Sequence, residues 1–443
     1  MAPAKTSPYT YQPLPKPRTI RLLRLGPSPS HAKPLQCRLQ QVSLDDLREK
    51  KKKHSYEALS YTWGAKNGSV PILCEGRRLL VTPNCESALR HLRHKLTPRL
   101  LWIDAICINQ KSTDEKNYQV QLMGEIYARA ERVIIWLGPG VPDDEELFRK
   151  ARRRGRVSHS RGQSDTSSAS FIDSWIEEPK SETLDRISNN AWFTRVWTIQ
   201  EMLLALNPVF RIGHSECPTS SMYTYFLVKA GSEILGNSRF QMRVRALEIL
   251  QPEAAKSKAL LSKVIQYGRT PETDSTELLS MILKLASLSE ASDSRDKFYG
   301  ILGLLQIFTK ATFPPVDYTR DDTQIFEESA RCMIRMTGCL WPLEVICRPF
   351  GNTSNMASWV PDLRDPASID IEWQPGVYRA VSTDKEMPFP RTTQIQKNLS
   401  ARLPPGPVRA AEMTSSDFET PGRLPVEAKF LVKVAEEQKM MIS

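Results

Sequence analysis

The feature that most constrains the fold is an alternation of short apolar runs with longer segments of helical periodicity, which begins near residue 82. Leu100–Ile103 and Val133–Leu137 are wholly apolar runs, as expected of parallel strands buried on both faces. Between them, apolar residues recur at helical spacing behind a capping-box pattern at Ser112–Glu115. The alternation predicts βαβ units, with a mostly parallel sheet and helices on both faces.

Flanking segments are predicted from local signals. Ile20–Leu25 and Leu35–Leu44 alternate apolar and polar residues, which is the period of half-buried strands. Pro71–Cys74 and Arg78–Val81 flank a Glu-Gly pair and predict a hairpin. The segment Asn190–Ala205 is predicted to be one strong helix.

Composition divides the 443 residues into four parts. Residues 1–19 are mostly Pro-rich and are predicted to be disordered, whereas 20–205 hold the strands and the α/β segment. Within the second part, the charged and Ser-rich segment 140–188 is predicted to be a flexible insertion. Residues 206–364 are mainly helical by pattern, and 365–443 are a Pro-rich tail predicted to be disordered.

The formal net charge is 61 − 50 = +11, and much of the excess lies in the runs 48–54 and 149–161. These runs are either a nuclear-import or nucleic-acid patch, or two solvated loops. We favour loops, because phosphate binding needs charge arranged on a surface and neither run interleaves aromatic residues. Nucleic acid is therefore not the expected partner.

The location predicted from composition is cytoplasmic. Eight Cys without a CxxC or a framework-like spacing fit a reducing compartment. The N-terminal residues have no apolar stretch typical of a secretory signal. No stretch approaches the roughly 18 apolar residues of a membrane span.

Common catalytic motifs are absent from the sequence. It contains no GxGxxG, GxxxxGK[ST], HExxH or GxSxG, so any chemistry must come from carboxylates, amides and backbone. His91 and His94 share one helical face, but no third ligand lies nearby in sequence. We interpret them as a surface pair and predict no metal site and no cofactor.

Two polar positions stand at the edges of predicted apolar elements. Asp104 directly follows a buried strand, where open α/β sheets bind ligands, but it could equally cap the next helix. Glu201 lies beside Trp197 at the margin of an apolar helix face, where partial burial would raise the pKa of its carboxyl. The alternative is a solvated face formed by Arg195 and Glu201, with Gln200 bonded to buried backbone. The residues alone favour this alternative.

Glu57 is a third such position. In the segment YEALSYTWG it shares a strand face with Leu59 and Tyr61. It is either a site carboxylate or an edge-strand residue that reaches solvent, and spacing does not decide between them.

Several ordered blocks together resemble the fungal heterokaryon incompatibility (HET) domain family. They include YEALSYTWG, LLWIDAICINQ and WFTRVWTIQE, and the resemblance covers about residues 20–363. In order, the blocks lie at 56–64, 81–93, 100–110, 115–138 and 192–201, with further similar segments at 294–304, 316–320 and 358–363.

The resemblance implies an effector of fungal non-self recognition and regulated cell death. It also implies a distant relation to TIR domains, and hence a flavodoxin-like or TIR-like sheet. Some TIR domains cleave NAD+ with a glutamate four residues after a Trp, the spacing of Trp197 and Glu201. By this resemblance Glu201 is the catalytic candidate, and Asp104, Gln200 and Arg195 are candidates for substrate binding together with Trp197.

Two further functions remain open at this stage. One is a non-catalytic adaptor that works through self-association or a protein partner, and the other is a basic nucleic-acid-associated protein, which only the two charge runs motivate. Under the enzymatic alternative, NAD+ is the substrate rather than a resident cofactor.

Overall fold

The chain forms two compact units, residues 1–245 and 246–443. The computed structural model describes residues 6–15, 17–47, 55–64, 67–160, 181–222, 275–309, 312–337, 356–357 and 360–369. The tail predicted to be disordered lies outside these residues from position 370 onward, as does the basic run 48–54.

One sheet organises the N-terminal unit. Its nine strands pair in the order β5-β4-β2-β1-β6-β3-β7-β8-β9. The strands are β1 Thr19–Leu25, β2 Gln36–Ser43, β3 Glu57–Tyr61, β4 Val70–Cys74, β5 Arg77–Val81, β6 Arg99–Trp102, β7 Arg132–Trp136, β8 Pro208–Ile212 and β9 Ser215–Pro218.

The sheet is mixed, so the prediction of a mostly parallel sheet is correct only for its centre. Strands β6, β3, β7 and β8 pair in parallel, and β2 also pairs in parallel with β4. The β1–β2, β1–β6, β4–β5 and β8–β9 pairs are antiparallel. Short connections account for the β4–β5 and β8–β9 hairpins: β4 and β5 are joined by Glu75 and Gly76, whose φ angles of 52° and 74° fit a tight hairpin turn.

Helices cover both faces of the central strands, as predicted. The described helices of this unit are α1 Pro83–Leu92, α2 Asp104–Cys107, α3 Thr113–Arg129, α4 Pro142–Ser160, α5 Ser181–Ser188 and α6 Trp197–Leu203. Asn84 of α1 accepts a hydrogen bond from Trp136 on one face. On the other face, the ring of Tyr127 in α3 packs edge-on against Trp102 at 5.3 Å. Because strand side chains alternate, each face receives its own set of helices.

Within the segment 1–19, which is predicted to be disordered, the described residues 6–15 make defined contacts with the sheet. Residues 6–15 are described, and the backbone N–H of Tyr9 donates to the carbonyl of Arg78 at 2.8 Å. The high proline content therefore reflects an extended segment docked on the sheet.

Most of the described part of the predicted flexible insertion 140–188 is helical. Helix α4 buries Leu147, Phe148 and Ala151, and α5 buries Leu184 and Ile187. Acidic and basic residues outnumber the buried apolar ones in the sequence of α4, so its amphipathic pattern is difficult to recognise. Residues 161–180 lie outside the described part.

The predicted single helix Asn190–Ala205 is in fact two elements. Ala191–Thr194 form a 3-10 turn capped by Asn190, and Arg195 then takes an extended conformation (ψ 137°) before α6 begins. Because of this break, the side chains of Trp192 and Glu201 both reach the hydroxyl of Ser60 on β3.

Strands β8 and β9 continue the sheet beyond residue 205, in a region predicted to be mainly helical. The described helices of the C-terminal unit are α7 Ser275–Leu288, α8 Asp296–Tyr299, α9 Leu302–Thr309 and α10 Asp322–Thr337. Here the Tyr318 hydroxyl donates to Asp296 at 2.5 Å, which joins two of the sequence blocks noted above. No described helix is long and apolar enough to cross a membrane.

Helix α4 provides the first prediction. Phe148→Ala should lower the free energy of unfolding by about 3–5 kcal/mol, because its fully buried ring would leave a cavity. Urea denaturation of the full chain measures this change. Leu96→Ala is the control, since Leu96 is 86% exposed and its truncation should change stability by less than about 0.5 kcal/mol. Equal stability of the two variants would mean that α4 is not packed in solution.

Candidate functional site

The site is built around the end of the central strand β3. Ser60 lies on this strand with its side chain buried, and its hydroxyl donates to Oε2 of Glu201 at 2.5 Å. The indole Nε1–H of Trp192 donates to the same hydroxyl oxygen at 2.7 Å. Ser60 therefore links the strand to the 3-10 turn and to α6, and its single proton is directed at the glutamate.

Helix α6 carries three of the predicted site residues. Glu201 is 2% exposed and lies on the sheet-facing side, whereas Trp197, one turn earlier, is only half-buried. Gln200 is 1% exposed, and its Nε2 has no hydrogen-bond partner among the described residues. Glu201 is thus interior, not part of the solvated face that the residues alone favoured.

Asp104 begins α2 immediately after β6. Its Oδ2 accepts a hydrogen bond from Nε1 of Trp63 at 2.9 Å, and its Oδ1 accepts one from the N–H of Ala105 at 2.7 Å. Asp104 does not cap the helix, because the N-cap position is Ile103 and no side chain bonds there; it is the first helical residue and stands at the carboxyl edge of the central strands. Burial raises the pKa of its carboxyl, against the opposing charge of Arg195.

Arg195 affects the pKa of both carboxyl groups through its charge. Its guanidinium donates to the carbonyl of Tyr61, the last residue of β3. Its positive charge lowers the pKa of both Glu201 and Asp104, which gives the three groups one electrostatic environment.

The carboxyl of Glu201 is strongly perturbed. Its pKa is raised to about 7, and burial is the largest cause. The charge of Arg195 acts against this increase, and the charge of Asp104 adds to it. Hydrogen bonds with Ser60 and Tyr127 have a smaller, lowering effect. A glutamate of this kind exchanges its proton near neutral pH, which suits a group with a chemical task.

Comparison with known proteins identifies the family to which the segment around this site is similar. Residues 56–201 match the model of the heterokaryon incompatibility protein (HET) family. The chain contains a HET domain. The matched segment begins just before β3 and ends at Glu201, so the polar cluster of Ser60, Trp192 and Glu201 lies within the HET domain.

A curated relative extends the similarity beyond the HET domain. Heterokaryon incompatibility protein 6, OR allele, of Neurospora crassa is 27% identical over 408 residues. The match covers 77% of this chain and 57% of the relative, so the chain spans a little over half the length of that protein. No solved structure matches the chain.

Glu57 occupies neither of its two predicted settings. Strand β3 is central in the HET domain, and the Glu57 carboxylate accepts hydrogen bonds from Arg99 and Arg132. Arg132 also pairs with Glu216 at 2.8 Å. Burial opposes ionisation of Glu57, but the two guanidinium groups outweigh it and lower the pKa of the carboxyl. Glu57 is thus an ion-paired structural residue at the opposite end of the strand from Ser60.

The two predicted surface histidines differ in their surroundings. His94 is exposed, but the ring of His91 is half-buried, 5.0 Å from Trp136 and 4.9 Å from His214. Burial lowers the pKa of His91. The described residues contain no group of three or more His, Cys, Asp or Glu side chains able to hold a metal ion.

Sequence reasoning missed three members of the polar cluster, namely Ser60, Trp192 and Tyr127. The apolar patterns around Trp192 and Tyr127 predict packing and give no sign of their polar roles. The available signal was Ser60, a hydroxyl in the middle of an otherwise buried strand, which must find a partner inside the protein.

The two glutamates provide matched stability predictions. Glu201 has a raised pKa, so its contribution to stability is full below its ordinary value of 4.5 and is lost as pH rises through about 7. Glu201→Gln should therefore become more stable relative to wild type between pH 5 and pH 8. Urea denaturation followed by tryptophan fluorescence at several pH values measures the difference.

Glu57→Gln is the control and should behave in the opposite way. Its lowered pKa means that the carboxylate stabilises the fold above 4.5 and loses this effect as pH falls. At pH 8 the variant should lose about 3 kcal/mol of unfolding free energy, because Arg99 loses its carboxylate partner and Arg132 keeps only Glu216. A Glu201→Gln variant destabilised to the same extent at pH 8 would contradict the raised pKa of the buried Glu201 carboxyl.

Proposed function

We propose that this chain is an effector of fungal incompatibility and regulated cell death, and that its HET domain cleaves NAD+ at the bond between nicotinamide and ribose. The match of residues 56–201 and the similarity to an incompatibility protein support the biological role. The observation that supports the chemistry is the buried Glu201 carboxyl, which is hydrogen-bonded to Ser60 near the end of the central strand and has a pKa raised to about 7.

The reaction needs little acid catalysis. The C1′–N bond breaks with its electron pair going to the pyridinium nitrogen, so nicotinamide leaves neutral. Water then adds to C1′ and loses a proton, which gives ADP-ribose. The transition state resembles an oxocarbenium ion, and a nearby carboxylate stabilises its charge and accepts hydrogen bonds from the ribose hydroxyls.

In this proposal each residue has a distinct task. Glu201 acts as the carboxylate near C1′, and Ser60 positions it through its hydrogen bond. Trp197 forms a wall of the cleft, and Asp104 lines its other side. Arg195 orients the substrate or the helix through its charge. The substrate arrives from solution, so no resident cofactor takes part.

The burial of Glu201 adds a requirement. With 2% of the residue exposed, the ribose reaches the carboxyl only if Trp197 and α6 shift from their present position. We therefore propose that the described conformation is a resting state and that a protein partner or self-association releases it.

The same burial favours a second candidate function, a non-catalytic adaptor in the same signalling. A glutamate enclosed by Ser60, Trp192 and Tyr127 could serve only to join α6 to the sheet. In that case the HET domain would act through its surface, and replacement of the carboxylate by an amide would leave cell killing unchanged.

Glu201→Gln separates the two functions. Expressed as the full chain in a fungal host, it should consume NAD+ at least about 100-fold more slowly than wild type, because it keeps the size of the side chain but loses its charge. Cellular NAD+ and viability are measured together. Glu131→Gln, an exposed glutamate just before β7, is the control and should behave as wild type.

The pH dependence gives an independent check. The pKa of about 7 belongs to the enclosed carboxyl, so ionisation above this pH disfavours the resting state and also supplies the active carboxylate. NAD+ cleavage should therefore rise with pH through about 7 and then level off. A wild-type chain that kills cells without consuming NAD+ would exclude the enzymatic proposal and leave the adaptor. Glu201→Gln that cleaves NAD+ normally would exclude the assignment of Glu201.

A further inference from the structure

An extended segment, residues 7–13, pairs with the edge strand β5 and then continues toward α2, β1 and β2, and we call it the N-terminal arm. The N–H of Tyr9 donates to the carbonyl of Arg78, and the N–H of Arg78 donates to the carbonyl of Ser7, both at 2.8 Å. Arg78 belongs to β5, the terminal strand of the sheet. The arm therefore adds to an open strand edge in parallel, as peptide ligands do in β-augmentation.

Side chains fix the rest of the arm. The Tyr11 hydroxyl donates to the carbonyl of Ile106 in α2 at 2.9 Å. The guanidinium of Arg21 lies 5.0 Å from the centre of the Tyr11 ring and donates to the carbonyl of Gln12 at 2.6 Å. Gln41 donates to the carbonyl of Pro13 at 2.9 Å. We call the surface formed by β5, Arg21, Gln41 and Ile106 the arm groove.

The arm groove is organised by contacts that do not involve the arm. Arg21 is 2% exposed, and its guanidinium also donates to both carboxylate oxygens of Glu115 and to the carbonyl of Cys107. Its charge is thus balanced within the body of the protein. The groove can therefore persist when the arm leaves, and it can accept the same peptide from another molecule.

The connection between arm and body is suited to opening. Residues 13–17 contain three prolines, a composition that favours extended chain over a compact turn. This connection ends at Arg18, whose φ angle of 62° lies in the left-handed region, which residues other than glycine rarely adopt. The docked arrangement thus stores backbone strain at this junction, which a different path of the chain would relieve.

We propose that two copies of this chain associate by exchanging N-terminal arms, so that the arm of each copy occupies the arm groove of the other. Every contact made by the docked arm is reproduced in the exchanged form, and exchange of identical segments is a low-cost route to a dimer. The connecting residues 14–18 span about 16 Å at about 3.1 Å per residue, so the two bodies meet close to β1 and β5. This inference does not rest on NAD+ cleavage.

Exchange would also reach the candidate site. Tyr11 contacts Ile106, and Ile106 belongs to the same short helix as Asp104. In the dimer, the arm of a second copy would therefore replace the chain's own arm at the element that carries a site carboxylate.

A cysteine cross-link tests the exchange directly in the full chain. Pro8 and Arg78 form the bridge pair, so Pro8→Cys in one preparation and Arg78→Cys in another bring the two thiols together only between molecules. The two preparations are mixed with oxidised glutathione and analysed on a non-reducing gel. We expect a covalent dimer at several times the amount formed by Pro8→Cys mixed with Leu96→Cys, since Leu96 is 86% exposed and reports random collision.

The double variant with Pro8→Cys and Arg78→Cys in one chain shows which arrangement dominates. An internal cross-link there, with no dimer above the collision control in the mixture, would overturn the proposal. No cross-link of either kind would overturn it as well, because the arm would then not dock.

A second measurement is the mass of the chain by light scattering over a concentration series. Tyr11→Phe keeps the ring against Arg21 but removes the hydrogen bond to Ile106 from the closed monomer and from the exchanged dimer alike, so the dimer dissociation constant should stay close to that of wild type. Thr10→Ala alters an exposed arm residue and should leave the dimer unchanged. A monomeric wild type at every concentration would contradict exchange.

Discussion

The burial of strand β3 is the constraint on which the rest of the HET domain depends. This strand pairs with β6 on one side and β7 on the other, and helices cover both of its faces. No polar side chain on it can rely on bulk water, so each must find its partner within the protein. Glu57 at its start and Ser60 near its end meet this requirement in different ways.

The two ends of the strand therefore have opposite electrostatic character. At the start, Arg99 and Arg132 keep Glu57 ionised, which ties three central strands together through one carboxylate. Near the end, Glu201 faces a hydroxyl instead of a guanidinium, and burial holds the pKa of its carboxyl near neutrality. The first arrangement serves stability, and the second leaves a proton that can be exchanged under cellular conditions.

The strand pattern was readable because it follows from burial alone. Wholly apolar runs of four or five residues have few alternatives to a central strand, and β6 and β7 lie where those runs predict them. The hairpin of β4 and β5 and the cap of α1 by Thr82 were equally local features. The arm, in contrast, was missed because its order comes from contacts with residues distant in the sequence, such as Arg78 some 70 residues away, and these contacts leave no periodic pattern in the arm itself.

The sequence by itself determined the α/β class, the central strands and the identity of Glu201 and Asp104 as polar residues at the edges of apolar elements. Only the tertiary structure decided which contacts these two carboxyl groups make and how far their pKa values are raised. The helical pattern of Asn190–Ala205 gave no sign of the break at Arg195, because an extended residue there is stabilised by a contact with the distant carbonyl of Tyr61. That break brings Trp192 and Glu201 to the same hydroxyl, and burial, not residue type, then sets the pKa of the glutamate.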